Sequence, residues 1–160
     1  MSDTINQNAT AWDSDGVFYD FNAHAYNFLG IHPKTVGDQK FWEVANQTEG
    51  FWETMPLIPG AVEFWEEIEH LSPTVITGAP KGNFVAAANA KKAAWKRDFN
   101  HDDVIVCLSK HKQLHMKNPG DILIDDTARN CRRWVDAGGI AILHTSFDNT
   151  RAELQRLSIL

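Results

Sequence analysis

Residues 9–17 read Ala9-Thr10-Ala11-Trp12-Asp13-Ser14-Asp15-Gly16-Val17, a short apolar run that stops at an acidic, glycine-containing turn. The same pattern returns downstream. Thr74-Val75-Ile76 stops at Thr77-Gly78, Ile122-Leu123-Ile124 stops at Asp125-Asp126, and residues 104–108 and 139–143 are two further apolar runs. Short, nearly continuous, largely β-branched runs suit strands buried on both faces of a parallel sheet. Amphipathic stretches lie between them. Ala61, Phe64, Ile68 and Leu71 recur at helical spacing, as do Phe84, Ala88, Trp95 and Phe99. Ala128, Cys131 and Val135 form a third stripe that Gly138 is placed to end, and Leu154 and Leu157 suit a terminal helix beginning after Asn149 or Thr150. Strands alternating with helices predict an α/β fold, a Rossmann-like, doubly wound parallel sheet.

One region breaks the alternation. Residues 17–58 contain no convincing strand, yet they hold nine of the chain's 17 aromatic residues. This reads as a small helical cap inserted after the first strand, with the core formed by 1–16 and 59–160. A cap of this size needs an apolar core of its own, which most of the rings would fill.

Composition bounds the function. With 160 residues and 43% hydrophobic content, the chain is expected to form one globular domain rather than a disordered one. A net charge of -6 argues against long nucleic acid as a partner, which needs clustered Lys and Arg. Met1-Ser2-Asp3-Thr4 has neither the basic region nor the apolar run of a secretory signal, no stretch is long enough to span a membrane, and two cysteines are too few for a disulfide framework. The expectation is a cytoplasmic protein with no membrane partner, its oligomeric state, homodimer included, left open.

In a doubly wound sheet, ligands bind at the carboxyl ends of the strands. Asp13, Asp15, Asp125 and Asp126 would all converge there, and their repulsion calls for a cation. Carboxylate oxygens are hard ligands that select Mg²⁺ over zinc. Thr77, the Gly78 N–H and a lysine beside such a cation make a pocket for phosphate, so the set suits phosphoryl transfer, with one carboxylate as nucleophile.

Asp13-Ser14-Asp15-Gly16-Val17, Thr77-Gly78 and Ile122-Leu123-Ile124-Asp125-Asp126 resemble the haloacid dehalogenase-like (HAD) phosphohydrolases in order and spacing. Within them the chain looks most like the small 5'(3')-deoxyribonucleotidases, through Asp15-Gly16-Val17-Phe18-Tyr19-Asp20-Phe21, Pro56-Leu57-Ile58-Pro59-Gly60-Ala61-Val62, Lys92-Ala93-Ala94-Trp95 and Ser109-Lys110-His111-Lys112. The resemblance implies that Asp13 attacks phosphorus and forms an aspartyl-phosphate. Asp15 would serve as acid and then as base. Mg²⁺ would be held by Asp13, the Asp15 carbonyl and Asp125, with Asp126 behind or in place of Asp125. Thr77 and Gly78 would bind phosphate. Lys92 and Lys112 both fall at family lysine positions near the phosphate, with Lys112 the preferred direct contact, while Lys91, Lys96 and Arg97 would face water. Phe21, Phe41, Trp42, Phe51 and Trp52 are the candidates for stacking on a nucleobase, and Asp20 either touches substrate or begins a helix. The chain departs from the deoxyribonucleotidases at Gly78, where they usually carry Ser, and in a shorter cap.

The implied activity is Mg²⁺-dependent hydrolysis of a small phosphate monoester, a nucleoside monophosphate first. The alternatives are another phosphate ester, a nucleic-acid end, or a non-catalytic phosphate-binding module. A phospho-receiver would carry its acidic pair after the first strand and its phosphorylated Asp after the third. Here the order is reversed, and the third run ends near Ser109 without an Asp.

Overall fold

In the computed structural model, which describes residues 8–160, each apolar run forms a strand: β1 (Thr10–Trp12), β2 (Thr74–Gly78), β3 (Val104–Cys107), β4 (Ile122–Asp125) and β5 (Ile140–Leu143). The reading of Met1-Ser2-Asp3-Thr4 lies outside the described residues. All five strands are parallel, in the order β3-β2-β1-β4-β5. The chain builds outward from β1 to β3 and returns to β1's other side with β4, so the crevice of a doubly wound sheet falls between β1 and β4. Among the described residues seven α-helices accompany the sheet: α1 (Phe21–His24), α2 (Pro33–Val36), α3 (Asp38–Gln47), α4 (Ala61–Ile68), α5 (Phe84–Phe99), α6 (Ala128–Asp136) and α7 (Phe147–Arg156). The architecture is the expected α/β one, a doubly wound parallel sheet.

Alternation along each strand divides the apolar side chains between the two faces. Trp12, Val75, Val104, Ile122, Ile124 and Ile142 pack with Phe64, Trp65, Trp95 and Leu154 from α4, α5 and α7. Ala11, Ile76, Cys107 and Leu123 pack with Trp134 of α6 on the other face. The residues that α6 buries are therefore Asn130 and Trp134, and Val135 is 52% exposed, so the stripe through Val135 is one position out of register. Helix α7 also starts earlier than its apolar spacing suggests, because the Ser146 hydroxyl accepts the Asn149 N–H and caps it.

Residues 17–58 fold into short helices and turns. Tyr19 bridges to both Asp15 and Leu57, which ties the segment's entry to its exit. Asp20 caps α1 by accepting the Ala23 N–H at 3.0 Å, the plain helix-start role. Helix α1 runs into a π-helical turn, Ala25–Leu29, that Gly30 closes with a φ of 70°. The expected separate aromatic core is absent. Ala25, Phe41, Ala45, Phe51 and Trp52 belong to the same apolar cluster as Trp12, Phe18 and Trp95, so the segment is packed onto the sheet's own core.

Candidate active site

The ends of β1, β2 and β4 and the loops after them surround a cavity of about 360 Å³. Asp13, Asp15, Thr77, Gly78, Lys112 and Asp126 line its floor, with Asp125 fully buried beneath. Strand pairing sets these positions. Asp13 donates its N–H to the Ile124 carbonyl at 2.8 Å, and Trp12 pairs with Ile124 on one side and Val75 on the other. Lys112 arrives from the 3₁₀ stretch Ser109–His115 that follows β3.

Lys112 Nζ donates to Asp13 Oδ1 at 2.7 Å and to Asp125 Oδ2 at 2.8 Å. The Ser14 N–H also donates to Asp13 Oδ1, at 2.8 Å, so among the described residues Oδ2 of Asp13 has no nitrogen donor. Asp125 is held from all sides, since Oδ1 accepts the Thr127 N–H at 2.8 Å and Oδ2 accepts the Asn130 amide at 3.1 Å. One lysine thus serves two carboxylates, with Asp126 beside them. Burial, and next the charge of Asp125, push the Asp13 carboxyl well above its ordinary pKa, beyond what Lys112 offsets. Asp126 is pushed up by burial first, while a hydrogen bond with Asp13 pulls it back. Burial also pulls Lys112 down, but Asp13 and Asp125 outweigh it and hold the ammonium charged.

This excess of negative charge is the test for a cation. Oxygens of Asp13, Asp125 and Asp126 lie within 4.8 Å of one another, a hard donor set that fits Mg²⁺. Asp15 lines the same cavity, and its carboxylate is paired with Lys91. Gly16 is required by contact as well as by its φ of 82°, because a Cβ there would collide with the Asp126 carboxylate. At Gly78 a Cβ would stand 3.1 Å from the Ser109 Cβ, so a side chain at 78 requires Ser109, which itself lines the cavity, to give by a few tenths of an ångström.

The second lysine is not the expected one. Lys92 is exposed, whereas Lys91 is buried, with Nζ 2.6 Å from Asp15 Oδ2 and 3.1 Å from Thr77 Oγ1. The helical stripe contains the explanation. Phe84, Ala88, Lys91, Trp95 and Phe99 follow the 4-3-4-4 spacing of one face of α5, and position 92 falls beside it. Thr77 is fully buried and does not cap α5, whose N-cap is Asn83. Asn130 and Ser109 were not singled out from the sequence. Their signal was faint: an uncharged polar residue one helical turn after Asp126, and the polar residue that ends the third apolar run.

The opposite wall comes from residues 17–58. Phe21, Asn22, Trp42 and Trp52 line the cavity. The Trp42 and Trp52 rings are stacked, 5.8 Å between centroids and 9° apart in plane, and Lys91 Nζ lies 5.2 Å from the Trp52 ring. Phe41 and Phe51, expected as stacking candidates, are fully buried behind this wall and support it edge-on, Phe41 against Trp42 and Phe51 against Trp52. Sequence alone could not separate the two groups, because both consist of adjacent ring pairs.

Comparisons with known proteins agree with this fold. A crystal structure of a HAD family hydrolase from Deinococcus radiodurans R1, with bound phosphate and sodium, superposes with a TM-score of 0.58 at 12% identity, over 96% of this chain and 97% of that one. L-2-haloacid dehalogenase from Xanthobacter autotrophicus, with chloropropionic acid covalently bound, gives 0.58 at 14% identity over 95% and 84% of the two chains. A hydrolase from Streptococcus pneumoniae TIGR4 gives 0.54 at 16% identity over 93% and 98%. At these identities the likeness is one of fold. No curated protein matches the chain in sequence. The model of the family described as "5' nucleotidase, deoxy (Pyrimidine), cytosolic type C protein" matches residues 22–158, which takes in Asn22, Trp42 and Trp52 of the wall and the ends of β2 and β4, and begins after the Asp13–Gly16 loop and Phe21. On the strength of that match, the chain belongs to the cytosolic type C 5'-deoxyribonucleotidase family, on a HAD-like fold.

Proposed function

We propose that this nucleotidase-like phosphatase hydrolyses nucleoside or deoxynucleoside monophosphates in a Mg²⁺-dependent reaction through a phosphorylated Asp13. The observation that carries the reading is a single cavity with two unlike halves, a crowded carboxylate floor and an aromatic wall. Asp13 Oδ2 attacks phosphorus, the bond from phosphorus to the ester oxygen breaks, and Asp15 gives that oxygen a proton. Asp15 then takes a proton from water, which attacks the phosphorylated Asp13 and releases inorganic phosphate. The Thr77 hydroxyl, the Gly78 N–H and the Lys112 ammonium bind the phosphoryl oxygens. Lys91 Nζ pairs with Asp15 Oδ2 at 2.6 Å, so the acid half of the reaction needs Asp15 turned from Lys91 toward the leaving oxygen.

Asp13, Asp125 and Asp126, with the Asp15 carbonyl, would hold Mg²⁺. Bound there, the cation supplies charge that offsets the carboxylates and admits an anionic substrate. Residues 17–58 act as a cap over the core of 1–16 and 59–160, where Phe21, Trp42 and Trp52 meet the leaving group and keep out water. No helix among the described residues is long and apolar enough to cross a membrane, and the family's description supports a cytosolic setting. The test is a phosphatase screen over nucleoside monophosphates, sugar phosphates and phenyl phosphate, with Mg²⁺ and with EDTA. Turnover of a nucleoside monophosphate above all the sugar phosphates, silenced by EDTA and restored by Mg²⁺, is the expected result. Full activity in EDTA overturns the metal, and a sugar phosphate as best substrate overturns the nucleotide.

A further inference from the structure

Asn22 is the one polar side chain on the aromatic wall whose orientation can be read from its surroundings. His32, which is buried, decides it. His32 Nδ1 accepts the backbone N–H of Lys34 at 3.1 Å, and a backbone N–H can only donate, so Nδ1 carries no proton. The ring is therefore the Nε2–H tautomer, and its 2.7 Å contact with Asn22 Oδ1 is a donation from His32 to Asn22. That bond settles which end of the amide is which. Oδ1 is turned away to His32, and Nδ2, which has no hydrogen-bond partner among the described residues, is the atom left for the cavity that Asn22 lines. The ring itself cannot easily turn. Tyr26 stacks on it at 5.0 Å and 12°, Phe21 meets it edge-on at 6.2 Å, and Thr35 closes a capping box around its backbone. Tyr26 is thereby explained as well, since it is 48% exposed because its other face covers His32.

From this chain we infer that Asn22 is a specificity-determining donor, and His32 the positioning residue that aims it. Asn22 Nδ2–H binds a hydrogen-bond acceptor on the edge of the leaving group. Because the donor stands among Phe21, Trp42 and Trp52, a flat ring lying against those side chains would present its edge, not its face, to Asn22. The acceptor is therefore assigned to the nucleobase and not to the sugar. The inference rests on the nucleotide reading proposed above.

The test inverts the polarity of the donor without changing its shape. In Asn22→Asp, His32 still donates to one oxygen, and the other becomes an acceptor facing the cavity. Steady-state kcat/KM is measured, with Mg²⁺, for two pairs of monophosphates that differ only by an oxo or an amino group on the base, and for ribose 5-phosphate. Asn22→Asp is expected to shift the oxo-to-amino ratio toward the amino member by about tenfold or more, the size of one hydrogen bond exchanged for a clash. His32→Asn frees the amide to turn and should relax the same ratio toward unity, through KM more than kcat. An equal fall on all nucleotides and on ribose 5-phosphate in Asn22→Asp places the acceptor on the sugar and overturns the assignment. So does an unchanged ratio. Wild-type enzyme that prefers ribose 5-phosphate to every nucleotide fails the nucleotide reading itself, a result distinct from either of these.

Discussion

The floor and the wall of the cavity are built by different means. On the floor, Asp13, Thr77, Lys112 and Asp125 are all nearly or fully buried, and three of them lie at the carboxyl ends of hydrogen-bonded strands whose register fixes their spacing. On the wall, Phe21, Asn22, Trp42 and Trp52 come from one strandless segment and are held by rings packed behind them. The floor concentrates charge that the fold does not neutralise, while the wall carries almost none. A register-set floor gives chemistry that depends on tenths of an ångström. A ring-packed wall can change its contacts without moving the reacting atoms. Floor substitutions should therefore act on turnover for every substrate, and wall substitutions on the choice among substrates.

The largest expected effect is at Asp13. Asp13→Asn removes the proposed nucleophile and should lower kcat by roughly 10⁴-fold or more on every phosphate ester. It should also stabilise the fold. The folded-state pKa of Asp13 is raised, so the unfolded chain releases this proton first, and stability is lost as pH rises through the ordinary carboxyl range toward the folded value. At neutral pH the Asp13 carboxyl therefore costs stability that Asn does not, and thermal unfolding at pH 7 should show a higher Tm for the variant. A lower Tm, or substantial remaining turnover, breaks the picture of a floor strained for function.

The two lysines of α5 give the next effect. Lys91→Ala unties Asp15 and Thr77 and should cost about 10–10² in kcat, and Lys92→Ala should stay within about twofold. Rates measured side by side on one nucleotide would decide it. An equal loss in both variants would mean that charge near the floor matters and geometry does not.

These residues also mark how far the sequence could be read. Asp13, Thr77 and Asp125-Asp126 were legible because each terminates an apolar run, and in a parallel sheet a run's polar end has only one place to go. Lys112 was legible only through family resemblance, since its 3₁₀ stretch has no periodicity that aims it. Lys91 was hidden by its neighbour: two adjacent lysines on a helix differ by 100° of rotation, and only the full stripe from Phe84 to Phe99 tells them apart. The wall resisted more strongly. Phe41 and Trp42, or Phe51 and Trp52, are indistinguishable by composition, and which ring of each pair meets the cavity depends on tertiary packing against Phe18 and the sheet. Asn22 was invisible because its role is set by the tautomer of His32, a property of three-dimensional hydrogen bonding.

At the wall, Trp42→Ala should raise KM for nucleotides by roughly tenfold, and change phenyl phosphate less, if its ring stacks on a base. Phe51→Ala, behind the wall, should instead cost about 3–5 kcal/mol of stability through the cavity it leaves. Chemical denaturation beside the kinetics separates them. A Trp42→Ala variant that loses stability and treats both substrates alike would return that ring to the core.

The smallest effect concerns the strand end that the cavity does not use. His144 follows β5, is buried, and shares a 2.7 Å hydrogen bond between Nδ1 and Thr150 Oγ1. Burial lowers its pKa to about 4. Between that value and the ordinary histidine value near 6.5, the unfolded chain binds a proton that the folded one refuses. His144 therefore costs nothing above pH 6.5, and it erodes stability progressively as pH falls from about 6.5 to about 4. His144→Gln keeps a polar partner for Thr150 and cannot titrate, so its Tm should fall less than that of the wild type over this interval, by a few degrees for a domain of this size. Asp13 acts on stability with the opposite sign as pH rises, so the two variants together divide the pH profile into a part that belongs to the floor and a part that belongs to the sheet. Identical Tm-against-pH curves for wild type and His144→Gln would overturn this assignment of the acid limb to His144.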